Sequence, residues 1–372
     1  MISEVPNHPK GIIHSGYRGV VYQRRVLDGI DVIRVWVKTT PVKNFRSRIL
    51  FYTSYMVNAS AASLLLARGR YDLIYATSPP LFVGAAALST NFVKRIPFVF
   101  EVRDLWPESA VALGELSNPR YISWANSLEN SCYRGARKIV VVTKGIYQRL
   151  VERGIHANKL ALIPNGANTT LFQYRPASRL RLREELYIDD KFVAIYAGIF
   201  GIAQGLETVV EAAKILRDNT DVQIIMVGEG PTKELILNLI HRNQLTNILV
   251  LPEQPRDVIP DYLSTSDVAL IPLRKMDLFK GALPSKIFDA WACERPILLS
   301  IDGEARHVME RAKGGMYTPP EDPVRMAESL LSLKNAHRSR EEMGKSGRKY
   351  TIEHHSRNSM AKKLEAVLLE SL

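Results

Sequence analysis

At 372 residues, 46% apolar and 24% charged, the chain has room for two domains with separate cores and is neither fibrous nor disordered in composition. Its two cysteines, Cys132 and Cys293, lie far apart without metal-ligand spacing, which argues against a disulfide framework and for a reducing compartment. The net charge of +12 sits in one half: residues 1–180 hold 24 Lys and Arg against 10 Asp and Glu, a net of +14, and the remainder comes to −2. That half calls for an anionic partner, and without an RNA-binding signature, zinc-finger spacing or long basic block, nucleic acid is the least supported.

Met1 to Lys10 has no apolar core of the kind a signal peptide needs. The segment Pro6-Asn7-His8-Pro9-Lys10-Gly11 reads as a loop with no strand or helix before it, and His8 as a solvated loop residue. Val20–Arg25 and Ile30–Val37 alternate apolar with polar residues around Leu27-Asp28-Gly29, which predicts a β-hairpin. Ile49–Ala67 carries no charge and is flanked by Arg46, Arg48, Arg68 and Arg70. Its length approaches a membrane span, but Thr53, Ser54, Asn58, Ser60 and Ser63 favour a packed helix with basic ends, with a helix lying on a membrane surface as second reading.

From there the pattern is α/β. Strands are predicted at Leu73–Ala76, Pro97–Val102, Ile139–Val142 and Leu160–Ile163, and helices at Leu81–Val93, Ile122–Arg134 and Lys144–Arg153. The first two strand ends carry polar clusters, Thr77-Ser78 and Arg103-Asp104, in the position where such sheets bind ligands; a structural ion pair is an equal reading of Arg103 and Asp104. The turn-rich stretch Pro164–Thr170 marks a domain boundary, giving domains 1–165 and 166–372.

A second series follows. Strand Phe192–Ala197, the loop from Gly198 to Gly205 and helix Leu206–Leu216 form an arrangement that can present bare backbone amides to an anion, although the spacing is neither G-x-G-x-x-G nor a Walker loop. Strand Val222–Val227 ends in Gly228-Glu229-Gly230; helix Leu235–Gln244, strand Ile248–Leu251 leading to Gln254, helix Val258–Leu263 and strand Asp267–Pro272 come next. Phe279 to Ile297 then compresses much chemistry into a short stretch. Pro284 and Ser285 read as a helix N-terminus capped by the serine, with Lys286 as a cation and Asp289 close to the same face; an ordinary amphipathic helix with a capping serine is an equal reading. Ile297–Ser300 reads as a buried strand, Tyr317–Pro323 as a turn, and the rest as helices ending with Met360–Leu369.

The strings FVFEVRDLWPES (98–109), LIPNGANTTLF (162–172), YAGIFGIAQGLETVVEAA (196–213) and ALPSKIFDAWACERPIL (282–298) resemble the family 4 retaining glycosyltransferases, most of all their WbuB-like branch of bacterial surface-polysaccharide enzymes, which includes L-fucosamine transferases. The resemblance covers nearly the whole chain. It implies the GT-B fold, two Rossmann-like parallel-sheet domains facing a cleft, with a C-terminal helix. It also implies transfer of a sugar, for instance an N-acetylated amino sugar such as L-FucNAc, from a UDP-sugar to a polyprenyl-diphosphate-linked glycan in O-antigen or capsule assembly. Retention of anomeric configuration, no metal or other cofactor, and a cytoplasmic, peripheral location on the inner membrane face are implied as well. The second domain would hold the nucleotide sugar, and the basic first domain would face acceptor and membrane.

By position, the resemblance places Gly198, Gly201, Gln204 and Gly205 under the donor diphosphate. Ser285 and Lys286 would bind phosphate, Asp289 would contact ribose or sugar, and Gly228 and Gln254 would border the base. Arg103 and Asp104 would reach the reacting sugar. The family's E-x7-E pair falls on Gly281 and Asp289, its Arg and Lys of the strand-loop-helix on Ile199 and Gln204, and a common His on Arg103. The family also begins with a β-α-β unit of roughly 30–40 residues that this sequence lacks, which would leave apolar faces and strand edges exposed in the first sheet. A UDP-GlcNAc 2-epimerase of the same fold and a non-catalytic remnant that binds nucleotide or a partner are the alternatives.

Overall fold

The computed structural model describes residues 1–7, 11–41 and 45–372; His8, Pro9 and Lys10 of the predicted first loop lie outside the described residues. The chain divides into two units, Met1–Ile163 with Lys363–Leu372, and Pro164–Lys362. The division thus falls in the predicted turn-rich stretch, but the last ten residues join the first unit rather than the second.

The first unit opens with a strand, β1 (Ile2–Glu4), where the sequence suggested none; β1 pairs in parallel with β3 (Ile30–Val35). Three residues ahead of a polar turn carry too little periodicity to announce a strand, and the pairing is made by a partner some thirty positions away. The predicted hairpin joins β2 (Tyr22–Leu27) to β3. Asp28 (φ 49°) and Gly29 (φ 77°) at its tip both take the left-handed backbone that a two-residue hairpin turn requires. Helix α1 (Phe45–Ala61) continues as a π-helical turn, Ala62–Leu66.

A second, all-parallel sheet follows in the order β4-β5-β6-β7. Its elements are β4 (Ile74–Ser78), α2 (Phe82–Lys94), β5 (Phe98–Val102), α3 (Glu108–Ala112), α4 (Pro119–Gly135), β6 (Lys138–Val141), α5 (Lys144–Glu152) and β7 (Leu160–Leu162). Phe98, Phe100, Ile139, Val141, Tyr133 and Leu150 form its core. The three-stranded and four-stranded sheets of this unit do not join. An apolar cavity of about 400 Å³ is lined by Met1, by Ile2 of edge strand β1, by Ile74 to Ala76 of edge strand β4, and by α1 and α2.

The second unit carries one six-stranded parallel sheet, ordered β10-β9-β8-β11-β12-β13. In chain order it runs α6 (Pro176–Glu185), β8 (Phe192–Ala197), α7 (Glu207–Ile215), β9 (Val222–Val227), α8 (Lys233–Arg242), β10 (Ile248–Leu251), α9 (Ile259–Thr265), β11 (Val268–Pro272), α10 (Lys286–Ala292), β12 (Ile297–Ser300), α11 (Glu304–Ala312), β13 (Gly315–Tyr317), α12 (Pro323–Asn335), α13 (His337–His355) and the start of α14 (Arg357–Leu369), whose residues from Lys363 onward belong to the first unit. The predicted turn at Tyr317 is therefore the end of a sheet-edge strand paired to β12, which Gly314 and Gly315 hid from a reading based on strand formers. Both faces of the sheet are covered, as the unbroken apolar runs of a parallel sheet demand. Along β8, Val193 and Ile195 pack on one side with Ile287 and Trp291, while Ala194 and Tyr196 pack on the other with Val209 and Leu330. The chain starts this sheet at β8 and winds outward in both directions, so the strand order reverses between β8 and β11. Ligands of open α/β sheets gather outside the carboxyl ends of strands at such a reversal.

Candidate active site

At the carboxyl end of β8 the loop is glycine-built because neighbouring atoms leave no room. An added Cβ at Gly198 (φ 150°) would fall 2.0 Å from Lys286 Nζ, and one at Gly228 (φ 152°) 1.9 Å from the Gly198 carbonyl oxygen. The Gly198 N–H donates to Val227 O, which holds the loop against the end of β9. A one-turn 3-10 helix, Ile202–Gln204, follows; Gly205 closes it in the left-handed region (φ 56°), against the Arg274 side chain. Arg274 staples this loop: its Nε donates to Ile202 O at 2.7 Å, Nη2 to Glu207 at 2.8 Å and Nη1 to Glu321 at 3.3 Å. Sequence reasoning passed over Arg274, since it lies 72 positions from the carbonyl it holds.

Lys286, at the start of α10, is partly exposed along its stem, but its ammonium turns inward beneath Gly198. Nζ donates to Tyr196 Oη at 2.7 Å and lies 4.2 Å from the centre of that ring. The Tyr196 hydroxyl in turn donates to Ile199 O at 2.5 Å, tying lysine and glycine loop together. Desolvation brings the Lys286 pKa down to about 7, with Asp289 opposing that fall. Asp289 is held up to about 6 by its own burial, against the pull of Arg256, Arg357 and Lys286. Its Oδ1 is buried without a hydrogen-bond partner among the described residues, and the Arg256 guanidinium stands 3.9 Å away, over the Phe172 ring. A buried carboxylate oxygen with an empty coordination position beside an enclosed ammonium is the chemistry of an unfilled polar ligand site.

The predicted cap does not form. Ser285 already has helical angles (φ −62°, ψ −23°) and makes no side-chain cap, because a capping hydroxyl needs an extended backbone to reach forward. The Pro284 and Ser285 carbonyls accept from Ile287 and Phe288, so the first turn is tightened and Ser285 is left exposed. Gly201 packs against the Gln204 side chain, whose Oε1 would lie 2.3 Å from an added Cβ. Gln254, beyond β10, donates to Pro252 O at 3.3 Å. The structure thus gathers Gly198, Gly228 and Lys286 tightly, with Asp289 along the same short helix. Gly281 ends a 3-10 turn, Asp277–Gly281.

In the first unit, the Arg103 N–H donates to Ser78 O, so the two polar strand ends, Thr77-Ser78 and Arg103-Asp104, are adjacent. Arg103 is exposed; Asp104 accepts from Ser109 Oγ at 2.7 Å, and burial raises its pKa.

This architecture has known counterparts. Residues 178–350 match the family model of glycosyl transferases group 1, and residues 12–166 match the glycosyl transferase 4-like domain. The chain is a GT-B glycosyltransferase. The enzyme is 24% identical over 292 residues, 77% of its own length and 71% of the relative's, to WcaI of Escherichia coli K12, a colanic acid biosynthesis glycosyl transferase. It is 25% identical to the alpha-D-kanosaminyltransferase of Streptomyces kanamyceticus over 45% of its own length and 42% of that protein's. Among solved structures, Anabaena Alr3699/HepE in complex with UDP-glucose aligns with a TM-score of 0.72 at 18% identity, over 92% of this chain and 87% of that one. The sucrose-phosphate synthase of Thermosynechococcus elongatus aligns with a TM-score of 0.75 at 18% identity, over 100% and 88%. The solved structures show the fold, and the two glycosyl transferase models carry the reaction class.

Proposed function

We propose that the second unit binds a UDP-linked sugar and that the enzyme transfers the sugar with retention, without a metal, to a lipid-linked glycan of a surface polysaccharide. The observation that carries this reading is Lys286 enclosed beneath Gly198 with Asp289 unsatisfied nearby. As the sugar leaves, the diphosphate gains negative charge. A fixed cation and glycine amides at that place stabilise it without reorganisation. Gly201, Gln204, Gly205 and Ser285 would complete the diphosphate cradle, and Gly228 and Gln254 would border the base. Complexes with UDP and UDP-glucose among structures of the same fold support the choice of donor.

For the acceptor side, the net +14 of residues 1–180 supports contact with an anionic membrane surface. Arg46–Leu66 is long and apolar enough by length and composition to cross a membrane, yet it packs on α2 through the Ser63–Thr90 and Ser60–Ser89 hydrogen bonds. Leu50, Val57 and Leu65 stay exposed, which suits a helix that rests on lipid.

The expected result is a rise in melting temperature with UDP at millimolar concentration, lost in Lys286→Ala. Absence of any response to UDP, GDP or TDP overturns the reading. Turnover of UDP-sugar with no acceptor would instead indicate epimerisation. The open cavity between β1 and β4 favours one second reading, a remnant that binds nucleotide without turnover. UDP binding without transfer of sugar to any lipid-linked acceptor decides for that reading, and transfer decides for the enzyme.

A further inference from the structure

At the opposite, amino ends of the same strands lies a second polar cavity. It measures about 340 Å³ and is lined by Arg179, Asp267, Arg295 and Arg340, with His337 and Lys345 at its rim. Its floor is built: Asp267 precedes β11, Pro296 precedes β12, and Arg340 lies over the Phe192 ring, where β8 begins, at 5.1 Å.

The charge there does not balance. Asp267 is the carboxylate of the floor, and its oxygens are already used. Oδ1 accepts from Arg179 Nη2 at 2.7 Å; Oδ2 accepts from Arg183 Nη2 at 2.7 Å and from the Val193 N–H at 2.8 Å. Arg295 is held only by main-chain oxygens, Nε to Cys293 O at 3.1 Å and Nη1 to Ser266 O at 3.0 Å, with its guanidinium 4.4 Å from the Tyr174 ring. Arg340, 9% exposed, donates Nη1 to Leu333 O and Lys334 O. Among the described residues neither has a carboxylate within ion-pair distance, and Nη2 of Arg295 and Nε and Nη2 of Arg340 donate to nothing. Of the acidic rim residues, Glu294 pairs with Arg348 at 3.7 Å, while Glu341 lies 3.9 Å from the His337 imidazole, itself on the rim, and pulls electrostatically on Arg340. Burial lowers both guanidinium pKa values; Arg179 adds to the fall and Asp267 opposes it in each, with Glu341 also opposing it for Arg340. These unengaged guanidinium nitrogens open on the cavity, and forked donors aimed into a polar space match the oxygens of a phosphate group.

We propose that this cavity is an anion site for a phosphate or diphosphate group, separate from the donor site at the carboxyl ends of the strands. An occupant would supply the oxygens that Arg295 and Arg340 lack and would brace the junction of α9, β11, α10 and α13. Arg295 lies just past the end of α10, whose other end carries Lys286, so the same short helix touches both sites.

The test is a thermal melt with inorganic phosphate and with diphosphate against sodium chloride at matched ionic strength. It is run in Lys286→Ala, so that binding at the donor site does not contribute and failure of the donor reading leaves the result intact. Phosphate at ten times its Kd should raise the melting temperature by about 3 °C, and Arg295→Met with Arg340→Met should abolish the rise. An equal rise with chloride, no rise in Lys286→Ala, or a rise that survives the double replacement overturns the proposal. Should the double variant not fold, Lys345→Ala on the exposed rim decides: a phosphate Kd weakened about threefold or more supports the site, and an unchanged Kd overturns it.

Discussion

Lys286 sets the behaviour of the donor site through its protonation. Its ammonium is enclosed and faces a tyrosine hydroxyl, and the pKa falls to about 7. A bound diphosphate returns the missing counter-charge and raises that pKa, so nucleotide binding takes up a proton above pH 7. Below pH 7 the lysine is charged in both states and contributes no pH dependence to the affinity. Above it, affinity should fall by up to tenfold per pH unit until the pKa of the complex is passed. UDP titrations by calorimetry between pH 7 and 9, where the nucleotide is fully ionised, check this, and Tyr196→Phe should alter the profile because it removes the hydroxyl that accepts from Nζ. Stability carries the matching sign. The folded pKa lies below the unfolded 10.5, so between pH 7 and 10.5 the unfolded chain binds more protons and stability rises with pH. Below pH 7 the penalty is complete. Lys286→Met without nucleotide should therefore raise the melting temperature more at pH 6 than at pH 9, and an equal gain at both would show that the lysine carries no such penalty.

At the scale of elements, the loops at the ends of β8 and β9 work as a packed pair. Gly228→Ala would press a methyl group to 1.9 Å from the Gly198 carbonyl oxygen at a φ that alanine avoids, so the loop must separate from β9. The expected loss is about 2–4 kcal/mol of stability in urea unfolding, together with loss of the UDP response. Gly198→Ala meets the movable end of Lys286 instead. It should cost less stability while displacing the ammonium, so UDP affinity falls further than the melt suggests. These glycines were legible because a strand, a glycine loop and a helix leave a local pattern, and most strands of the second unit were read to within a residue or two for the same reason. Other parts leave none. Tyr196 reads as an ordinary strand former, and only the fold shows its hydroxyl bridging Ile199 and Lys286. Arg274 and Asp267 act across more than seventy positions. Ser285 has the composition of a cap, but tightening of its first turn overrides that preference. In the first unit, β1 is too short to register on its own.

For the whole molecule, two units with separate cores should unfold separately. The six strands of the second unit are covered on both faces by two large apolar clusters. The first unit divides its strands between two sheets, with edges β1 and β4 exposed on a cavity of about 400 Å³. Missing contacts around such a space cost stability roughly with its volume, so the first unit should melt first. Scanning calorimetry should resolve two transitions, and UDP should move only the upper one. A ligand at a hundred times its Kd adds about 2.7 kcal/mol, which for a unit of about 200 residues raises its midpoint by roughly 5–10 °C. If UDP shifts the lower transition equally, the two units unfold as one cooperative block and the nucleotide stabilises both. If the lower transition alone moves, the donor site has been placed in the wrong unit, because Lys286, Asp289 and the glycine loops all belong to the second.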